Sequence, residues 1–343
     1  MKDFREASRA ALGDELYGYL CGRPHDMNAG DVDPNELAWS RYRLVPRVLQ
    51  GHAGVDVSCK LFGSEYAAPF GVGAFAADRL FGEAGVGAIA RVCASLGLPL
   101  FVSEEAVTPL ADIAATGVNC WLQLRAAGPI ERAVRLVEHA ASVGCQGIVL
   151  TVLAPVHPVP GLHPGGVDVT AHVAQRGWAT IGASEGVAKL PAFPSWSMSE
   201  LHTLLDAVHA LGMRLVVKGV MHPADARACH LAGCDGVMVS NIGVRQSYRW
   251  APVSDVLERM HESEATLLVD GGLRHAADIV AARVLGAQLS IIVRPVVHAL
   301  AAGGEAAVNE LLRGLIGELQ AICAWMGAAT LADITRDQLT KLN

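Results

Sequence analysis

Four short stretches carry charged or hydrogen-bonding side chains at the ends of apolar runs. Val216-Val217-Lys218-Gly219 places an ammonium at such an end; a lysine held there stabilises a developing anion, although an isolated surface lysine would be unexceptional. Val239-Ser240-Asn241-Ile242-Gly243-Val244-Arg245-Gln246 packs hydroxyl, amide and guanidinium groups into one turn. Asp270-Gly271-Gly272-Leu273-Arg274 and Val293-Arg294-Pro295 each offer an arginine suited to bidentate anion pairing. The adjacent glycines let backbone N–H groups approach a phosphate, and taken alone they would equally well make a tight turn. Glu104-Glu105 adds two carboxylates after another apolar run. Either can take a proton or hold a cationic amine; the bland alternative is a solvated acidic loop or a pair with Arg125.

These residues need a scaffold that gathers strand ends, and the chain has that pattern. Short β-rich runs alternate with turns and amphipathic Ala/Leu segments, which predicts a parallel sheet wrapped by helices. The strands are expected at 69–74, 99–103, 120–124, 147–151, 214–218, 236–240, 266–270 and 289–293. Helical patterns at 129–142, 198–211, 223–232 and 276–285 have the length of right-handed crossovers. Eight such units predict a closed (β/α)₈ barrel, a TIM barrel, whose active site lies at the C-terminal strand ends with phosphate bound after the last two strands.

An N-terminal extension over 1–66, with a helix at 4–20 and a segment at 35–49, is expected to cap one mouth. The stretch 154–196 after the fourth strand is rich in Pro, Gly and His and reads as an irregular substrate loop. Residues 305–326 read as a closing helix, and no linker composition marks a second domain, so 1–343 is read as one domain.

Of the 343 residues, 52% are hydrophobic and 18% charged, enough apolar material for a large core, and the net charge of −7 is interspersed without the basic stripe nucleic acid would need. Eight cysteines occur without a C-x-x-C pair and read as free thiols in a reducing cytosol. The N-terminus lacks the apolar core of a signal peptide and no apolar stretch runs long enough to span a bilayer, so a cytoplasmic protein without a membrane partner is expected. The histidines of the long loop, His157, His163 and His172, fit no zinc spacing, and no metal is expected.

Taken in order, the strand ends resemble the FMN-dependent 2-hydroxy-acid oxidase/dehydrogenase family (glycolate oxidase, lactate oxidase, mandelate dehydrogenase), whose signature runs S-N-H-G-G-R-Q, then D-G-G-x-R, then G-R-P. Pro-Arg-Val-Leu at 46–49, the 69–85 stretch, Trp121-Leu122-Gln123-Leu124, Leu150-Thr151-Val152, Lys218-Gly219 and Gly303-Gly304-Glu305 fall in family order across nearly the whole chain. The resemblance implies FMN as cofactor. Ala74 and Ala76 would meet the isoalloxazine, with Ser103 and Ser240 at neighbouring strand ends. Gln123 and Thr151 would bond the ring edge, and Lys218 would lie near N1 and O2, where positive charge favours reduced flavin. Asp270, Gly272, Arg274 and Arg294 would hold ribityl and phosphate, with Val293 where the family has glycine. A homo-oligomer, a tetramer in relatives, is implied as well.

The same alignment shows what has changed. The family histidine that takes the hydroxyl proton falls on Ile242, which cannot accept one, and losing such a base typically costs about 10²–10⁴ in rate. Its supporting aspartate falls on Leu153, and the tyrosine after strand three on Arg125. The N-terminal tyrosine falls on Gly18, with Tyr17 or Tyr19 able to reach in. Of the carboxylate clamp only Arg245 remains. The expected activity is therefore FMN-dependent oxidation of a non-standard 2-hydroxy-acid-like or amino-acid-like substrate, a small acid. Arg245 and Arg125 would orient it, Lys218 would support reduced flavin, and Glu104, Glu105 or a loop histidine would move protons. Two alternatives remain open: FMN-dependent decarboxylation, monooxygenation or redox-neutral work, and a flavin-binding pseudoenzyme serving as a partner subunit.

Overall fold

A parallel strand buried on both faces reads as a near-continuous apolar run, and the runs identified as strands are mainly apolar, with Ser103, Gln123, Thr151, Lys218 and Asp270 toward their C-terminal ends. The computed structural model describes residues 3–24, 26–28, 31–51, 53–153, 166–185 and 196–342. In chain order come α1 (Arg5–Cys21), α2 (Pro34–Trp39), β1 (Tyr42–Leu44), β2 (Cys59–Leu61), β3 (Ser64–Tyr66) and β4 (Phe70–Gly73). Then follow α3 (Gly85–Leu96), β5 (Leu100–Ser103), α4 (Leu110–Ala114), β6 (Cys120–Arg125), α5 (Ile130–Ser142), β7 (Gly147–Thr151), α6 (Val169–Gln175) and α7 (Met198–Ala210). The chain closes with β8 (Arg214–Val220), α8 (Pro223–Leu231), β9 (Gly236–Val239), α9 (Val253–Leu257), β10 (Leu267–Asp270), α10 (Ala276–Val284), β11 (Leu289–Ile292), α11 (Arg294–Trp325) and β12 (Leu339–Lys341).

Strands β4 to β11 form a closed parallel barrel in chain order, β11 pairing with β4 through Ser290↔Phe70 and Ile292↔Val72. Every residue of β4, β5, β7, β9, β10 and β11 is buried. Each expected strand lies within two residues of its observed bounds. The barrel interior is filled by Phe101, Trp121, Val149, Val216, Met238, Leu268 and Ile291. A barrel of this size is a packed core and not a pore.

The N-terminal extension does more than cap one mouth. The hairpin β2–β3 closes the end where strands begin: Leu61 and Tyr66 join the interior cluster and the Phe62 ring lies 5.7 Å from that of Trp121. At the opposite end α1 and α2 sit over the strand C-termini, where Trp39 Nε1 donates to the Gly271 carbonyl at 2.9 Å. Strand β1 pairs antiparallel with β12, so the N-terminal extension is tied to the segment after α11 outside the barrel.

Three other expectations change. Helix α1 is broken at Gly13 (φ 72, ψ 168). The closing helix begins at Arg294, eleven residues before the expected start, and is interrupted at Gly303 and Gly304 (φ 60); the glycine pair marks a kink inside a longer element. The 154–196 stretch is not wholly irregular, since it contains α6 and a short 3₁₀ turn at Gly182–Glu185. Among the described residues no helix is long and apolar enough to cross a membrane, and no group of three or more His, Cys, Asp or Glu is placed to hold a metal ion. All eight cysteines are free.

Candidate active site

The C-terminal strand ends gather a buried polar cluster beneath the mouth. Lys218, on β8 and 6% exposed, donates to Ser240 Oγ at 2.9 Å and lies 2.6 Å from Asp270 Oδ2. Register pairing sets Lys218 beside Thr151 on β7. Two buried oxygens here have no partner, Thr151 Oγ1 and Asp270 Oδ1. Buried polar atoms are almost always bonded, so unpaired oxygens beside a buried ammonium mark a place made for a polar ligand. Ser103 Oγ accepts from Glu105 N at 3.1 Å, and Gln123 pairs with Ser103 across β5 and β6. Ala74 directly follows β4, and Ala76 lies two residues further on.

The turns after β10 and β11 form the second part of the site. Gly271 and Gly272 have φ of +105° and +76°, and a Cβ on Gly272 would come 2.3 Å from the Asn35 side chain. Only glycine permits both that conformation and that approach. Asn35 and Asn241 bond each other reciprocally at 3.0 and 2.9 Å, locking the start of α2 to the turn after β9. Arg274 binds Glu36 through Nε and Nη2 at 2.8 and 2.7 Å, while Arg294 binds Asp33 Oδ2 at 2.6 Å and the Gly243 carbonyl at 2.7 Å. Asp33 and Glu36 were not among the residues singled out in the sequence; Asp33-Pro34 is a readable helix start, yet its pairing with residues some 260 positions away has no local signal. Burial would push the Glu36 carboxyl up, but the Arg274 and Arg5 guanidiniums overcome it and hold Glu36 below the usual carboxylate range. The cationic field of this corner reaches His298, which burial together with Arg274, Arg5 and Arg294 pulls down to about 4.

At the mouth the two acidic candidates separate. Glu104 is 1% exposed and both its oxygens are engaged: Oε1 accepts Arg125 N at 2.7 Å, and Oε2 takes a very short bond from Arg132. Arg132 also bonds the Gly182 carbonyl, and Ile181 and Gly182 donate to the Ala106 and Glu104 carbonyls. Glu104 thus fastens the returning part of the β7 loop to the turn after β5. Glu105 keeps a side chain 35% exposed, with Arg125 Nη2 at 3.3 Å. Burial raises its pKa, opposed by Arg125 and reinforced by the Glu104 charge.

Arg245 donates to the Tyr19 carbonyl at 3.0 Å and lies 4.7 Å above the Tyr19 ring, a cation–π placement. Tyr19 stacks near Phe81, whereas Tyr17 turns away to His298, so Tyr19 is the tyrosine that reaches in. Burial raises the Tyr19 phenol; Arg245 opposes and Glu105 adds to the rise, placing all three in one electrostatic neighbourhood. Ile242 follows β9 at φ 54° with its N–H on Ser240 Oγ, and Val244 is at φ 53°. Positive φ in β-branched residues is costly and clusters at functional turns. Leu153 fills the space against Gly219, where a Cβ would come 2.5 Å from its own. His172 lies on α6 and bonds Glu15 at 3.2 Å; His157 and His163 lie outside the described residues.

An eight-stranded barrel with a buried lysine, unpaired strand-end oxygens and arginine-bearing glycine turns after its last two strands defines a flavin- or phosphate-cofactor enzyme of the TIM-barrel class. The chain belongs to the FMN-dependent dehydrogenase family, whose model matches residues 8–341. It is 31% identical to 4-hydroxymandelate oxidase of Amycolatopsis orientalis, with 96% of each chain covered. It is 28% identical to human 2-hydroxyacid oxidase 1, over 99% of this chain and 96% of that one. The solved structure of mandelate oxidase with (S)-4-hydroxymandelic acid superposes with a TM-score of 0.84 at 27% identity, covering 99% of this chain and 98% of that one. The protein is an FMN-dependent oxidoreductase of the 2-hydroxy-acid oxidase/dehydrogenase type, and its residues fit the cofactor. The unpaired Asp270 and Thr151 oxygens can take ribityl or ring donors, and Lys218 supplies positive charge beside them.

Proposed function

We propose that this chain oxidises a small acid bearing a hydroxyl or amine at C2, with Glu105 replacing the family histidine as proton acceptor. The observation that carries the reading is the division of labour between adjacent carboxylates. Glu104 is spent on Arg132 and the Arg125 backbone, while Glu105 stays accessible with a raised pKa. A carboxylate lifted toward neutrality is a better base than an ordinary one. Bound FMN supplies a two-electron acceptor for the hydride on C2. Glu105 takes the proton from the substrate hydroxyl or amine as the C2 double bond forms. Arg245, braced by Tyr19, and Arg125 hold the substrate carboxylate. Lys218 would supply positive charge that favours the reduced flavin, and Asp270 keeps that ammonium in place.

The test is anaerobic mixing of the FMN-loaded protein with a panel of 2-hydroxy and 2-amino acids. At least one should bleach the flavin absorbance in a single exponential. A panel that leaves the flavin oxidised, while dithionite reduces it, rejects the assignment.

A further inference from the structure

The two arginines at the turns after β10 and β11 are placed for a phosphate, yet both already rest on carboxylates. Arg274 places both Nε and Nη2 on Glu36 Oε1 and lies 3.7 Å from Asp33, and Arg294 is held by Asp33. All four side chains are between 11% and 25% exposed, so these pairs are poorly screened and a ligand must compete with them directly. Arg5 also reaches Glu36, at 3.0 Å. Within this corner Asp33 and Glu36 offset the charge of Arg274 and Arg294. A dianionic phosphate entering it would find those two guanidiniums already paired, where bare arginines would offer two positive charges.

We propose that Asp33 and Glu36 are counter-charges that the phosphate of FMN must displace, so that the first turn of α2 sets how strongly the chain prefers phosphorylated over unphosphorylated flavin. The inference rests on the family's cofactor and concerns only its phosphate end. The residues suit such a role. Asp33 caps α2 through Oδ1, which accepts Asn35 N at 2.9 Å, and uses only Oδ2 on Arg294. The cap and the counter-charge are therefore separable, because asparagine caps a helix as well as aspartate does. The start of α2 is fixed independently by the Asn35–Asn241 pair and by Trp39 on the Gly271 carbonyl. Releasing the arginines need not move the helix.

The experiment titrates FMN and riboflavin into the flavin-free full chain and into Asp33→Asn, Glu36→Gln and the double variant, following flavin fluorescence, with a thermal melt of each variant. The ratio of the two affinities is read within each variant, so a general change in stability cancels. Removing both carboxylates should tighten FMN about tenfold or more, given the strength of charge-assisted phosphate pairing, and leave riboflavin within about twofold. If the double variant melts early, Asp33→Asn alone should still raise the ratio. An unchanged or lowered ratio overturns the proposal, because it would mean that the carboxylates only hold the arginines ready. A parent chain that binds neither flavin would overturn the cofactor assignment itself, a result distinct from an unchanged ratio.

Discussion

The cofactor end and the substrate mouth of this barrel are built from the same strand termini, but they differ in how their charges are arranged. At the cofactor end Lys218, Ser240 and Asp270 form a closed buried cluster around unpaired oxygens. At the mouth the turn after β9 presents Ile242 and the end of β7 leads into Leu153, and the carboxylates come from the turn after β5, with Arg125 of β6 beside them. On the proposed reading, with Glu105 as the proton acceptor, flavin binding and proton transfer are separable on this scaffold. The barrel core supports the first, and short loops determine the second.

The comparison breaks most directly at Lys218. Lys218→Met leaves Asp270 buried without its counter-charge, and losing one partner of a buried pair costs about 3–5 kcal/mol. Urea unfolding of the flavin-free protein should show that loss; a change below about 1 kcal/mol would mean the cluster is wetter than its burial implies. At the mouth, Arg132→Met removes the closest cation from Glu104, leaving only the Arg125 guanidinium at 3.8 Å, and should cost about 3 kcal/mol. It should also speed amide exchange at Ile181 and Gly182, which bond the β5 turn, while flavin affinity holds.

His298 sharpens the account of the cofactor end. Its pKa is depressed to about 4, so as pH falls the unfolded chain takes up the proton first. The stability it contributes is complete above about 6.5, the unfolded value, and is lost as pH falls toward 4, by up to about 3 kcal/mol. His298→Phe should flatten that acid limb, and an unaltered limb would show that other groups set it. The smallest expected effect is at the mouth. Ile242→His restores an imidazole at the family position, but Leu153 offers no carboxylate to orient it, so the rate of flavin reduction should rise less than about tenfold.

How much of this was legible in the sequence follows from where each constraint originates. Lys218, Asp270, Gly272, Arg274 and Arg294 could be read because each sits at the end of an apolar strand, where the fold dictates what a side chain faces. Ile242 stood out only because the family signature has histidine at that place. Arg132, Asp33 and Glu36 could not be read. Arg132 sits in the amphipathic pattern of α5, where an arginine ordinarily faces water, and its burial follows from Glu104 on another element. Asp33 and Glu36 look like ordinary first-turn acids of α2, and only the closure of the extension over the last strands brings them to the arginines. Choosing Tyr19 over Tyr17 needed the kinked path of α1 at Gly13, since the two differ by half a turn of helix. The choice between Glu104 and Glu105 likewise waited on tertiary contacts.

The central claim, that proton transfer has moved to Glu105 while the flavin site is kept, is tested by the pH dependence of anaerobic flavin reduction in the parent and in Glu105→Gln. The account predicts a rate that rises through a single ionisation above the usual carboxylate range in the parent. In the variant it predicts a rate lower by about 10²–10⁴ with that ionisation gone and FMN affinity unchanged. A variant that reduces its flavin at the parental rate with the parental pH profile would contradict it.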